Sequence, residues 1–449
     1  MLYAPISQGR KGVLNLQVQN EAIEMVWLKK LLSPHPPAWT PFAHELLRIH
    51  ATPSPTSKPK ARVNYFLQSW PIAPSKLPPI LSHCITLARK YNLTLDALFF
   101  HPASLDPLPV WFHTSALLNL KKLNNYFYAH CIRDHHNVTN IGEIQTLANT
   151  PFNDSHRCLG SCVCKSCNTL HDTARCLKPF KCVETALNIT RCIPKKWSPS
   201  PIPPRKNPDL LLEEKDALTF NPALTEAGPI ENSFHILRPA EPQTNSPATQ
   251  LQAPDDMSHP TVEISYGLIH KINDDREKVS CGSAFFAHKD PQNLAFRMIS
   301  DCVTSKTSIL CAIIESVRRI DHFVPILAHI SSESIVRNLT INLPRNEDSD
   351  WYSCDDAHLY RSIVAILRLR SARTHLQAWS AKTPCLKRSA ASSLAKEALT
   401  HPSLTSCDVS INPHFSIQGL RVERSVGYLS SEQTTDVLDV PVGYYRMSV

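Results

Sequence analysis

Thirty-seven prolines set against only ten glycines do more than any other feature to limit what this 449-residue chain can fold into. Soluble proteins usually carry about 7% glycine and about 5% proline, so here the ordinary balance is inverted. Glycine is the residue that takes positive φ at little steric cost, and so few of them largely exclude tight glycine hairpins and glycine-rich phosphate loops. Proline fixes φ and removes an amide donor, so each one ends a helix or marks an extended connector. The expected chain is a set of helices and strands cut apart by proline segments, long enough for two or three domains.

Net charge and cysteine content narrow the class further. A formal charge of +8 is a mild basic bias, compatible with nucleic acid and equally with partners of other kinds. Met1 to Gly12 lacks the apolar run of a secretion signal, and no stretch reaches the roughly 18 uninterrupted apolar residues of a membrane span. Fifteen cysteines is an odd number, and without a secretion signal a disulfide framework is the weaker reading. Asn-x-Ser/Thr triplets such as Asn92-Leu93-Thr94 then read as chance. The expectation is an intracellular protein, nuclear or cytoplasmic, that is not secreted and has no membrane partner; its oligomeric state is left open.

Along the chain the pattern changes four times. Residues 1–149 read as mainly helical. In Asn20 to Leu32 the residues Ile23, Val26, Trp27 and Leu31 recur at spacings of three and four, with Asn20 as N-cap and Pro34, Pro36 and Pro37 as stops. Similar stripes occupy Ile80 to Arg89 and Leu117 to Ile132, and nothing in this region has catalytic spacing. Residues 150–193 form a cysteine-rich module. Residues 194–260 hold thirteen prolines among many polar residues, a composition that predicts a disordered linker, with Leu210 to Leu212 as its one apolar patch. Basic residues Lys195, Lys196, Arg205 and Lys206 at its start are candidates for phosphate contact, weighed against a plain solvated linker.

Residues 261–400 read as α/β. Strands are expected near Val262 to Ile264, Gly282 to Ala287, Leu294 to Met298, Pro325 to Ile330 and Leu376 to Trp379. Helices are expected at Ser308 to Arg319, Asp356 to Arg370 and Ser389 to Leu399. The order is three strands, helix, strand, helix, strand, helix. Residues 401–449 form an irregular tail in which no pattern is legible.

Particular words in the sequence carry a resemblance. They are Phe323-Val324-Pro325, the run Leu343-Pro344-Arg345-Asn346-Glu347-Asp348 with Trp351, the run Arg368 to Thr374, and Leu394-Ala395-Lys396-Glu397-Ala398. Upstream stand Asn20-Glu21-Ala22-Ile23 with Trp27-Leu28-Lys29, and the block Cys158 to Cys167. Together they resemble the post-polymerase region of non-LTR retrotransposon polyproteins of basidiomycete fungi, which ends in a type 1 ribonuclease H-like domain. The resemblance runs over nearly all of Gly9 to Leu399, the linker excepted. It implies a mixed central sheet flanked by helices, cleavage of the RNA strand of an RNA–DNA hybrid, and a nucleic-acid partner, either such a hybrid or DNA. The reverse transcriptase itself is absent: Tyr352-Ser353-Cys354-Asp355-Asp356 has one residue too many for its Tyr-x-Asp-Asp motif.

The resemblance also implies four carboxylates holding two magnesium ions, because hard cations require oxygen ligands from several elements. Position by position they are missing. Gly267 stands where the first aspartate would end the first strand, Leu310 where the glutamate would open the first helix, Ser332 at the third acid and Ser392 at the fourth. The His-Gly loop is replaced by Ala381-Lys382-Thr383-Pro384. Glu333, Glu315, Asp274 and Asp275 are the nearby acids that would have to substitute. Glu333 is one residue out of register, which on a strand reverses the side chain. The reading is therefore a retrotransposon-derived protein without catalysis, retaining at most weak nucleic-acid binding. An active magnesium-dependent hybrid ribonuclease with relocated ligands is one rival. A zinc-dependent interaction module is another, and a decayed gene copy with no role a third.

The cysteine block supports the zinc rival. Cys158, Cys162, Cys164, Cys167, Cys176 and Cys182 cluster beside His156 and His171. Cys164-x-x-Cys167 has the spacing of a zinc knuckle, and Cys176 with Cys182 supplies a second pair after eight residues. Those four cysteines are the candidate ligands of one structural zinc; free buried thiols are the alternative.

Overall fold

The computed structural model describes residues 16–51, 61–69, 72–116, 118–152, 156–158, 162–199, 217–238, 244–251, 260–272, 278–299, 304–352, 354–379, 386–400 and 407–423. They fall into two units. One is built from described residues within Met1–Pro203, Thr225–Pro247 and Gly419–Val440, the other from those within Pro204–Leu224 and Ala248–Gln418. None of the described helices is long and apolar enough to cross a membrane.

The first unit is mainly helical, with α1 (Leu16–Leu31), α2 (Thr40–His50), α3 (Pro79–Lys90), α4 (Phe127–Asp134), α5 (Ile141–Ala148), α6 (Lys165–Ala174) and α7 (Pro179–Cys192). Proline opens several of them, standing at the first or second helical position of α2, α3 and α7 where its missing amide costs nothing. α5 starts on a reciprocal cap: Asn140 Oδ1 accepts from Glu143 N at 2.8 Å, and Glu143 Oε2 accepts from Asn140 N at 3.2 Å. The core runs from Met25 and Leu28 through Trp111, Ile132 and Ile144 to Cys182, Ile189 and Trp197. Trp111 Nε1–H donates to Val138 O at 2.6 Å, which satisfies the polar edge of a fully buried indole.

Several expectations for this region are corrected. α1 begins before Asn20, which therefore sits inside the helix, and the buried stripe is Ala22, Met25 and Leu28, with Leu31 shared, while Ile23 is 58% exposed. Apolar residues surround this helix, so the spacing offered two stripes and only tertiary packing chose between them. The stripe Leu117 to Ile132 is cut by Asn124 and Asn125 into Leu118–Leu123 and α4. The expected linker 194–260 is partly folded. Phe234–Ile236 pairs antiparallel with both Thr94–Leu95 and Leu420–Arg421, and Thr225–Glu226 pairs in parallel with Phe99–Phe100. Lys196 is buried and forms an ion pair with Asp96, whose other oxygen meets Arg238 Nη1 at 2.7 Å. A lysine so engaged cannot serve phosphate. Arg205, Lys206 and Leu210 to Leu212 lie outside the described residues, while part of the tail, Leu420–Arg421, is a strand.

The second unit holds a mixed sheet. Its strands are β1 (Val262–Ile272), β2 (Lys278–Phe285), β3 (Leu294–Ile299), β4 (Ile326–Ile330) and β5 (Thr374–Ala378), in spatial order β5-β4-β1-β2-β3. β1, β2 and β3 form an antiparallel meander, whereas β4 runs parallel to β1 and β5 parallel to β4. Leu218–Thr219, from the expected linker, adds a short antiparallel edge to β5. The helices are α8 (Thr307–Arg318), α9 (Glu333–Leu339), α10 (Leu343–Asp348), α11 (Ala357–Leu369) and α12 (Leu386–Glu397). The order of strands and of α8, α11 and α12 is the expected one; α9 and α10 are additional.

Alternation along the strands assigns the faces. Tyr266 points to α8, where its hydroxyl meets Ser316 Oγ at 2.7 Å, and Ser280 Oγ meets Ser308 Oγ at 2.7 Å on the same side. Ser283 points the other way and donates to Ala391 O of α12 at 2.7 Å. The two glycines of the sheet permit both contacts. A Cβ on Gly282 would lie 2.3 Å from Ser308 O, and one on Gly267 would lie 2.3 Å from Ala391 O. Both helices thus rest directly on strand backbone. Glu347 and Arg368, buried, form a two-pronged pair at 2.5 and 2.6 Å that ties α10 to α11.

Candidate metal centres

The unit with the sheet offers the first candidate place for a cation, midway along β1, which runs on past Gly267 to Ile272, and just beyond β4. Gly267 faces α12, and the direction its side chain would take is closed by Ala391 O at 2.3 Å and Ser283 Oγ at 2.6 Å. Leu310 and its neighbour Ile309 are both fully buried in the apolar core, so a register error of one residue there brings no ligand either. Ser332 follows β4 and its hydroxyl meets Ser334 Oγ at 2.9 Å. Ser392 is half-buried on α12. Hydroxyls and alkyl chains are not the carboxylate set a magnesium pair requires, and these four residues do not fit it.

Two of the substitute acids, Glu333 and Glu315, have partners elsewhere. Glu333 is 70% exposed at its side chain and pairs with Arg337 at 3.1 Å; Glu315 accepts from Cys407 Sγ at 3.6 Å. Asp274, Asp275 and the segment Ala381 to Pro384 lie outside the described residues. Glu263, on the same face of β1 as Gly267, is held by His329 Nε2 at 2.8 Å and by Lys387, while His329 stacks on Trp379. Burial would raise the Glu263 pKa, but Lys387 and His329 outweigh it and leave the carboxyl below its ordinary value. Its charge is therefore already compensated by protein.

Among the described residues, three or more His, Cys, Asp or Glu donors converge in two places, and both lie in the first unit. The candidate quartet Cys164, Cys167, Cys176 and Cys182 is not one site. Cys164 and Cys167 join His156 and Cys162; Cys176 and Cys182 join Cys131 and His136; in each group all donor atoms lie within 4.8 Å of one another. Chain geometry explains the division. Cys167 and Cys176 sit at opposite ends of α6, whose ten residues span about 15 Å at about 1.5 Å rise each, too far for one coordination sphere.

The first cluster is built around the start of α6. Cys164 is the N-cap, its Sγ accepting from Cys167 N at 3.4 Å, and Cys167 occupies the first turn. His156 Nδ1 lies 3.4 Å from Cys162 Sγ and 3.5 Å from both Cys164 Sγ and Cys167 Sγ. Its ring stacks on Phe152 at 4.0 Å, which fixes its plane. Arg157 N donates to Cys162 Sγ at 3.3 Å, and this and a further main-chain amide, from Cys164, lower the Cys162 thiol to about 6.

The second cluster draws on three elements. Cys131 lies on α4, His136 just beyond it, Cys176 just beyond α6 and Cys182 in α7. Two left-handed residues aim the ligands: Asn137 at φ 54° follows His136, and Arg175 at φ 49° precedes Cys176. Cys176 Sγ is 3.7 Å from Cys131 Sγ and 3.5 Å from Cys182 Sγ, far beyond the about 2.05 Å of a disulfide. Neighbouring thiols donating to Cys176 drive its pKa down, while Cys131 is pushed up to about 11 by the same contact. His136 Nε2 is buried with no hydrogen-bond partner. Cys176 and Cys182 are themselves buried, at 1% and 0% exposure.

Both clusters could hold a metal ion such as zinc. Sequence reasoning had His156 and Cys162 in view without assigning them, and it missed Cys131 and His136 altogether. The available signal was Cys131-x4-His136 across a helix end, forty residues before Cys176 and inside the region read as plain helical packing. Cys158 and His171 are exposed and belong to neither cluster.

No family model matches the chain, and no curated protein matches it in sequence. Among solved structures, the chain is similar to LC9-RNase H1, whose crystal structure is described as a type 1 RNase H with the type 2 active-site motif. The match has 14% identity and a TM-score of 0.26, covering 32% of this chain and 74% of that one.

Proposed function

We propose that the second unit is a ribonuclease H-like scaffold, inherited from a retrotransposon polyprotein, that binds nucleic acid without cleaving it. Its strand order supports the fold reading, with an antiparallel meander followed by two strands added in parallel beside β1. The observation that carries the loss of catalysis is Gly267. The place of the first carboxylate is filled by the α12 main chain, so the centre is not merely short of one acid but packed over. What such a body retains is surface. Nucleic-acid contact through basic side chains needs no metal and weakens as salt rises.

Cleavage of an RNA–DNA hybrid by the full chain, with magnesium and with a chelator, tests this. The expected result is no turnover above the chelated control, together with weak hybrid retention that falls with salt. Magnesium-dependent turnover would establish the active ribonuclease instead. A second reading, a zinc-stabilised interaction module, is favoured by the two thiol clusters of the first unit; it predicts protein capture that depends on zinc and is indifferent to nucleic acid.

A further inference from the structure

We infer that this protein binds two zinc ions at separate closed sites, one held by His156, Cys162, Cys164 and Cys167, the other by Cys131, His136, Cys176 and Cys182. Nothing in this inference depends on the ribonuclease H-like reading of the other unit.

The geometry of the first site is hard to explain without an ion. Three sulfurs surround one nitrogen, His156 Nδ1, at 3.4, 3.5 and 3.5 Å. One imidazole nitrogen carries at most one proton in the ring plane, so it cannot make three hydrogen bonds in three directions. These are the edge lengths of a tetrahedron instead. With Zn–S about 2.3 Å and Zn–N about 2.0 Å, an S···N edge is about 3.5 Å and an S···S edge about 3.8 Å. In the second site the S···S distances of 3.5 and 3.7 Å are close to the same edge, and the His136 nitrogen left without a partner supplies the fourth corner.

The donor chemistry selects the metal. Three thiolates and an imidazole are soft to borderline ligands, matched to zinc rather than to magnesium or calcium. Zinc binding displaces the three thiol protons at each site, so a site of neutral groups plus Zn²⁺ becomes a closed complex of net charge −1. Four protein ligands leave no position for water, which makes the ions structural. Main-chain amides at Arg157 and Cys167 already point at sulfurs of the first site, the outer hydrogen bonds that steady a thiolate. The second site joins α4, α6 and α7, with Cys131 and Cys176 forty-five residues apart in sequence, so it fastens the helical region to the cysteine-rich segment.

The test is metal analysis of the full chain, purified and saturated with zinc and then freed of loosely bound ion. Two zinc ions per chain are expected. Cys167→Ser and Cys182→Ser should each lower this to one, because each breaks a different site. Cobalt titration of the unsubstituted chain gives an independent reading: intense thiolate-to-cobalt and tetrahedral d–d absorption that stops rising at two equivalents. This reading survives even if a variant fails to fold. A chain that retains fewer than two zinc ions while its thiols react freely with an alkylating agent overturns the proposal. So does either variant keeping both ions, or a cobalt endpoint other than two.

Discussion

The two kinds of candidate metal place in this molecule differ in what their atoms do when no ion is considered. Beside β1 and β4 the space is taken by protein and no set of donors converges: Ala391 O takes the Ser283 proton, Glu263 is compensated by His329 and Lys387, and Leu310 is core. In the thiol clusters the donor atoms converge, four to a site. Three sulfurs share one nitrogen, and His136 Nε2 is buried with nothing to bond. The sequence resemblance alone would place the metal in the sheet. The convergence of three thiols and an imidazole at each cluster places it among the thiols instead.

Removing metal gives the largest expected effect and would break this contrast most directly. A strong zinc chelator at neutral pH should abolish amide-exchange protection in α4, α6 and α7, since structural zinc sites contribute about 10 kcal/mol or more to the fold that contains them. Protection in β1, β2 and β4 should be unchanged. Hydrogen exchange read by mass spectrometry resolves the two sets of segments. Equal loss in both, or loss in neither, would erase the distinction.

Placing an acid at Gly267 tests the other side. Gly267→Asp should not confer cleavage of a hybrid, and it should destabilise the second unit by about 3 kcal/mol. Overpacking alone costs about 1–3 kcal/mol, and here a buried carboxylate is added facing a carbonyl. Urea midpoints of the variant and the parent measure it. A neutral substitution would mean that α12 can lift off β1 and make room for a carboxylate there.

How much of this was legible beforehand depends on the kind of signal. The sheet unit could be read because Ile264, Leu359 and Ile363 follow strand or helix periods closely, and the structure buries each of them, although β1 runs on past the expected Ile264 to Ile272. α1 was misread at Ile23 because its apolar residues lie all round, and periodicity then chooses no face. The linker was misread because composition reports an average. Phe234 to Ile236 are three residues in a proline-rich stretch, yet pairing on both sides buries all three. The metal quartet was misgrouped because sequence proximity favoured Cys176 and Cys182 as partners of Cys164 and Cys167, although α6 holds the pairs apart. Cys131 and His136 are brought in by tertiary packing, which no spacing rule contains.

Acid should expose a smaller difference. His235 in the first unit is fully buried, and desolvation lowers its pKa to about 3, while Nδ1–H still donates to Ser233 O at 3.0 Å. A histidine with a depressed folded pKa contributes its full stability above the unfolded value, about 6.5, and loses it as pH falls toward the folded value. By pH 5 that loss is about 2 kcal/mol. His235→Gln, neutral throughout, should flatten the pH dependence of the urea midpoint between pH 7 and 5 by that amount. An unchanged slope would mean that His235 does not stay neutral when buried.

The smallest effect sharpens the comparison where the sheet comes nearest to offering a ligand. Glu333 follows Ser332 by one residue, and a relocated magnesium site would have to recruit it. Instead it opens α9 with its side chain 70% exposed, paired with Arg337 one helical turn on. Such an exposed i,i+4 pair contributes about 0.3–0.5 kcal/mol. Glu333→Gln should therefore shift the urea midpoint barely beyond error, by the same amount with magnesium as without it. A metal ligand behaves otherwise: losing it would remove any stabilisation by magnesium altogether. If the parent chain gains stability in magnesium and the variant does not, Glu333 is a ligand after all, and the sheet would hold a metal site as surely as the thiols do.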